Sequence, residues 1–170
     1  MRDCRLIAGL LLAPLLVAAA PAAAETKLSE LAGAWTGSGT DRDTPMATAQ
    51  PTQCRARVTA DLTRLTSDMT CNGQAGLMKQ VRLAVTLRGT QFTGTAEQTS
   101  STRGSNVAPR RRSGTVTGTR RGDTAMLTVR FPGLTPNATV TMDLTSPTSF
   151  GLTVSTLGST LTKVDFNRAR

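Results

Sequence analysis

Along most of the chain apolar and polar residues alternate one by one. The alternation is cleanest in Val81-Arg82-Leu83-Ala84-Val85-Thr86-Leu87, and it recurs in Leu127-Thr128-Val129-Arg130-Phe131 and in Val140-Thr141-Met142-Asp143-Leu144. Phe150, Leu152 and Val154 alternate with Gly151, Thr153 and Ser155, as Val164 and Phe166 do with Lys163, Asp165 and Asn167. A period of two with one polar face marks strands of an antiparallel sheet packed on one side. Turn residues punctuate the runs at Arg88-Gly89-Thr90, Arg121-Gly122-Asp123, Pro136-Asn137, Ser146-Pro147 and Leu157-Gly158-Ser159. Spacing this short joins neighbours as hairpins, and the pattern predicts about eight to ten strands. They fall near 33–40, 53–61, 64–71, 79–88, 91–98, 113–120, 124–131, 138–145, 149–156 and 161–168. No helical crossover interrupts them. The expected fold is therefore all-β: an antiparallel up-and-down meander that closes as a small barrel, or alternatively pairs as a two-sheet sandwich, to protect its edges.

Two stretches break the rhythm. Asp41 to Pro51 is polar, holds two prolines and reads as a loop. Thr99 to Arg112 carries Ser100-Ser101, Gly104-Ser105, Pro109 and then Arg110-Arg111-Arg112, and reads as a long, mobile, Arg-rich loop.

The N-terminus has a different pattern. Arg2 and Arg5 precede an apolar run from Leu6 to Ala20; Pro21 breaks it and Ala22-Ala23-Ala24 follows. This order is that of a secretory signal peptide cleaved after residue 24. The run is shorter than the roughly 20 residues a spanning helix needs, so an uncleaved anchor is the lesser reading. Cys4 lies before the apolar run rather than after it, which excludes a lipoprotein anchor. The expected organisation is a signal peptide over 1–24, a lead-in over 25–32 and one barrel domain over 33–168, placed in the periplasm or outside the cell. No later stretch is apolar enough to cross a bilayer as a helix.

Cleavage changes the composition. It removes 24 of 170 residues, two of the 20 basic residues and one of the 11 acidic ones, leaving 146 residues with a formal charge of +8. That length suits one domain with a real core. Cys4 is also removed, leaving Cys54 and Cys71. An even pair in an exported chain is most simply a disulfide. Register supports the pairing: a hairpin turning at Leu62-Thr63 sets Ala60 against Leu65 and Cys54 against Cys71. Facing residues of antiparallel strands lie about 4.5–5.5 Å apart at Cα, within reach of a bridge.

Most familiar chemistry is missing. The chain has no histidine, which excludes a Ser–His–Asp triad, a Cys–His pair and an imidazole metal site. A bridged cysteine pair supplies no thiol nucleophile. Most carboxylates alternate onto outward faces, and Glu97 is the one that could face inward or lie on the rim. Gly37-Ser38-Gly39 lacks the lysine and helix of a phosphate loop. The reading is a non-enzymatic protein with no cofactor and no metal. The positive feature is charge. Arg103, Arg110, Arg111, Arg112, Arg120 and Arg121 fall in one loop-and-hairpin region, and Arg55, Arg57, Arg82 and Arg88 could extend it as an outward stripe. Such a field attracts polyanions. In the envelope these are acidic polymers and lipid headgroups, and a protein in the periplasm is the other class of partner such a surface would meet. Nucleic acid is not expected, because no aromatics interleave with the arginines to stack on bases.

A family resemblance adds to this. Leu31-Ala32-Gly33-Ala34-Trp35-Thr36-Gly37-Ser38-Gly39 opens the first strand. A Gly-x-Trp there, followed by an antiparallel meander, resembles the calycins, the lipocalin and avidin type of barrel. The Trp-x-Gly-x-Gly-Thr opening, the Cys-Arg-Ala strand, the second cysteine and Phe92-Thr93-Gly94-Thr95-Ala96-Glu97 resemble small periplasmic proteins of Gram-negative bacteria. The calycin resemblance implies that Trp35 caps one barrel end beneath a basic side chain of the last strand, with Lys163 and Arg168 as candidates. It also implies the alternative functions: a carrier of a small apolar ligand, or a periplasmic protease inhibitor engaging its target before Trp35. The inward positions are small aliphatics and predict a filled core, whereas a carrier would need a cavity of ~300 Å³.

Overall fold

The computed structural model describes residues 27–133 and 136–170, and the export segment read at 1–24 lies outside them. Ten strands follow in chain order: β1 (Gly33–Asp41), β2 (Gln50–Ala60), β3 (Arg64–Gly73), β4 (Leu77–Arg88), β5 (Gln91–Thr102), β6 (Arg110–Arg121), β7 (Thr124–Arg130), β8 (Ala138–Ser146), β9 (Ser149–Thr156) and β10 (Ser159–Arg168). A 3-10 turn, Leu28–Leu31, precedes β1, and another, Gln74–Gly76, links β3 to β4. Every strand pairs antiparallel with the next, and β10 returns to β1, from Trp35 opposite Arg168 to Asp41 opposite Thr162. The meander is thus a closed barrel and not a sandwich.

Closure follows from the alternation. Odd positions of β1, β3, β4 and β7 and even positions of β2, β5, β6, β8 and β9 face inward, where Trp35, Val58, Leu65, Val85, Phe92, Val116, Leu127 and Leu152 are buried. Outward positions are threonines and charges: Thr36, Arg55, Arg57, Thr59, Thr66, Arg82, Thr93 and Glu97 are exposed. A bilayer-spanning barrel carries its apolar band outside instead. Glycines on the inner face let strands and side chains approach. A Cβ on Gly37 would fall 2.7 Å from Val164 Cγ1 and 2.8 Å from Phe166 Cδ1, so Gly37 makes the space that Phe166 fills.

The two ends differ. At the floor lie the tight turns after β2, β4, β6 and β8, together with the Leu28–Leu31 turn. At the mouth lie the longer connections after β1, β5 and β7. The expected loop over 99–112 is narrower than the composition suggests. β5 continues to Thr102 and β6 starts at Arg110, because Gln98, Thr99 and Ser100 pair with Arg112, Arg111 and Arg110. Pairing of β6 with β7 begins only at Thr115 opposite Arg130. The β5–β6 hairpin therefore overhangs β7 at the mouth, and Arg110–Arg112 occupy its open edge. Charges on an open edge oppose pairing with a second chain.

One turn is strained. Leu157 and Gly158 link β9 to β10, and both have positive φ, 49° and 74°. Leu157 is the sole non-glycine residue with positive φ among the described residues, and its side chain is 76% exposed. The left-handed region costs an L-residue roughly 1–2 kcal/mol, and no burial offsets it here. Asn-Gly is the preferred pair for a two-residue turn with both φ positive. Leu157→Asn should therefore stabilise the barrel by about 1 kcal/mol, read as a raised urea midpoint with an unchanged slope.

Candidate functional site

The floor is a packed aromatic plug. Trp35 is 1% exposed, and its indole Nε1 donates to the Leu31 carbonyl at 2.9 Å. Its ring meets Phe150 edge-on at a centroid distance of 4.9 Å, and Phe150 stacks on Phe166 at 4.7 Å. Arg168, at the end of β10, lies 4.7 Å above the Trp35 ring. Its guanidinium donates to the carbonyls of Glu30 (2.5 Å), Ala32 (2.8 Å) and Pro147 (3.0 Å), tying together the turn, β1 and the β8–β9 connection. Of the two candidate partners of Trp35, Arg168 takes the role and Lys163 does not. Lys163 occupies an exposed outward position opposite Thr40 and Thr153, so its parity sends it away from the indole.

Nearer the mouth, Cys54 and Cys71 face inward as a buried disulfide with Cα atoms 4.0 Å apart. Cys71 has Lys79 as its other neighbour. Lys79 binds Asp41 at 2.5 Å and Asp43 at 3.0 Å, while Thr162 donates to Asp41 at 2.6 Å. This ion-pair cluster is one that the sequence pattern does not reveal. Asp41 lies at the end of a strand read as running into a loop, and nothing local pairs it with Lys79 across 38 positions.

Between floor and mouth the interior is not filled. A cavity of about 150 Å³ runs from Leu31 and Phe150 to Phe131, Ala138 and Val154. Its lining is apolar except for Ser67 and Gln98. The filled core expected from small aliphatics thus holds only for the floor, where four of the five aromatic residues stand: Trp35, Phe92, Phe150 and Phe166 are all buried. At the other end only Phe131 remains to fill the barrel, and Met69, Leu83, Val140 and Val154 stay half-buried around the void. The cavity is about half of what a drug-sized ligand requires, and matches cavities of ~150 Å³ that admit benzene.

The six arginines do not form one cluster. Arg103, Arg110, Arg111 and Arg112 are exposed at the mouth. Arg120 and Arg121 precede the turn after β6 and stand at the floor, about 26 Å from Arg112 at 3.3 Å per residue. Arg120 donates to the Gly122 carbonyl at 2.9 Å. The sequence brings them close only along the chain; one strand separates them in space. The outward stripe is not uniformly basic either. Arg57 faces Asp68, Asp68 faces Arg82, and Arg82 faces Glu97, so signs alternate around the wall. Glu97 is exposed on that outer row and does not enter the barrel.

Asp68 gives this row a pH dependence. The Gln80 amide, donating at 3.1 Å, and then the Arg82 guanidinium at 3.0 Å hold its carboxyl below the ordinary 3.8. A depressed folded value stabilises the barrel in full above the unfolded value, and that contribution is lost as pH falls below 3.8 through the folded one. Asp68→Asn should therefore lose stability less steeply than wild type in this acid range. Parallel urea titrations between pH 5 and pH 2 measure the difference, and identical slopes would refute it.

Compared with known proteins, the chain matches no family model and no curated protein.

Proposed function

We propose that this chain is an exported, non-enzymatic binding barrel that contacts an anionic component of the cell envelope through the arginines at its mouth. One observation carries the reading. Arg103, Arg110, Arg111 and Arg112 are all exposed at one end of the barrel, and none has a carboxylate within 4.0 Å among the described residues. Uncompensated charge gathered on one overhanging hairpin focuses a field that a polyanion would neutralise. Export is supported by the N-terminal pattern and by a buried disulfide, a bond that persists in oxidising compartments. No helix among the described residues is long and apolar enough to cross a membrane.

Retention on heparin and on immobilised lipopolysaccharide tests this. At about 1 kcal/mol per arginine near an anionic surface, the triple variant R110Q/R111Q/R112Q should bind roughly 100-fold more weakly at low salt. R120Q/R121Q, which alters the floor, should change binding far less. Retention that ignores salt, or that responds equally to both variants, would overturn the reading, because exposed charge contacts weaken with screening.

A second reading, a calycin-type carrier of a small apolar ligand, draws support from the cavity and from Arg168 over Trp35. Its protease-inhibitor form draws none. The segment before Trp35 that a protease would engage has Leu28 and Leu31 buried in the floor.

A further inference from the structure

The cavity and the mouth arginines meet on one strand pair. Gln98 lines the cavity, and its partner across the ladder is Arg112; two residues toward the mouth, Ser100 faces Arg110. Even positions of β6 face inward: Val116 is buried, and a Cβ on Gly118 would fall 2.7 Å from the buried Leu127 side chain. Arg110 and Arg112 continue that inward register at the rim, while Arg111 takes the outward one. The other strand cation in the inward register at the mouth is already answered, since Lys79 is paired with Asp41 and Asp43. Among inward-register strand positions at the mouth, positive charge without a carboxylate partner therefore falls on β6.

We propose that the barrel binds a small amphiphilic anion, with an apolar group no larger than about a six-carbon ring in the cavity and a carboxylate, sulfonate or phosphate head between Arg110 and Arg112. The inference rests on the mouth arginines being the anion-binding surface, and it adds that the anion carries an apolar group which the barrel buries. Each half of the site discriminates. A neutral molecule of the same shape forgoes the charge-assisted hydrogen bonds to arginine. A purely polar anion forgoes burial against the apolar lining.

Hexanoate and 1-hexanol, titrated into the full chain at low salt and followed by NMR or calorimetry, test it. Hexanoate should bind about tenfold more tightly than hexanol, as charge-assisted hydrogen bonds exceed neutral ones. R110Q/R112Q, at exposed positions that do not disturb the core, should erase that preference and leave hexanol binding unchanged. Val140→Phe, which fills the cavity, should weaken both ligands while heparin retention persists. Equal binding of the two probes, or hexanoate binding indifferent to R110Q/R112Q, overturns the inference. Heparin separates it from the wider reading. If heparin is retained and neither probe binds, the inference fails and the surface reading stands. If hexanoate binds as expected and heparin does not, the polymer reading fails and the small-anion site stands.

Discussion

Replacing Trp35 with alanine should cost the barrel about 3–5 kcal/mol, the range for a buried aromatic truncated to Ala. Domain stabilities span only about 5–15 kcal/mol, so this single change should leave the chain near its unfolding threshold. Three interactions disappear together. The indole is 1% exposed and packs on Phe150, it donates to the Leu31 carbonyl, and it is the surface beneath Arg168. The void left behind would join the existing cavity, whose floor is formed by Leu31 and Phe150. Trp35→Phe should fall between, since it keeps an aromatic ring but leaves the Leu31 carbonyl without its donor. Arg168→Lys should fail to replace arginine, because one ammonium cannot span the Glu30, Ala32 and Pro147 carbonyls as a planar fork does. Urea unfolding followed by far-ultraviolet circular dichroism, which does not depend on the indole, measures all three. A loss below about 1 kcal/mol for Trp35→Ala would mean that the floor plug is held by other contacts.

The reach of the sequence can be judged residue by residue. Strand parity was legible wherever an apolar residue marked the inner face, which is why the hairpin register brought Cys54 against Cys71 and why β8, β9 and β10 fall where the alternation put them. Parity also decides between Lys163 and Arg168, since the two residues differ by an odd number and cannot share a face. What parity cannot supply is height along the barrel. Arg112 and Arg120 share the inward register of β6, yet one is at the mouth and the other at the floor. Polar composition misled at Thr99 to Thr102. Serine and threonine suggest a loop, but pairing with β4 and with the start of β6 holds these residues in a strand. The cavity was not legible at all. Its existence depends on how the aromatic residues distribute between two ends, and that is a property of the closed barrel rather than of any segment.

Removing the disulfide with Cys54→Ala and Cys71→Ala together should cost about 3 kcal/mol in the chain-entropy model for a loop of this length. The bridge spans 17 positions and joins strands that already pair at Thr52–Gly73 on one side and Ala60–Leu65 on the other. Folded, the barrel holds β2 against β3 without it, so the bridge acts mainly on the unfolded chain, which it keeps compact. Two observables follow. The urea midpoint should fall, and the slope should rise, because the uncrosslinked unfolded chain exposes more surface. A fall in midpoint with an unchanged slope would place the effect in native packing beside Gly37 and Lys79 instead. Reduction of the wild-type bridge should be slow under native conditions, since both sulfurs lie inside the wall and thiolate attack needs access. Its rate should rise with urea well below the midpoint if local opening of β2–β3 is the route, and only near the midpoint if the barrel opens as a whole. An unchanged midpoint in the double variant would show that strand pairing alone sets the stability of this side of the barrel. In that case the bridge would still point to an oxidising compartment, where such bonds persist, but the barrel would not depend on it to stay folded.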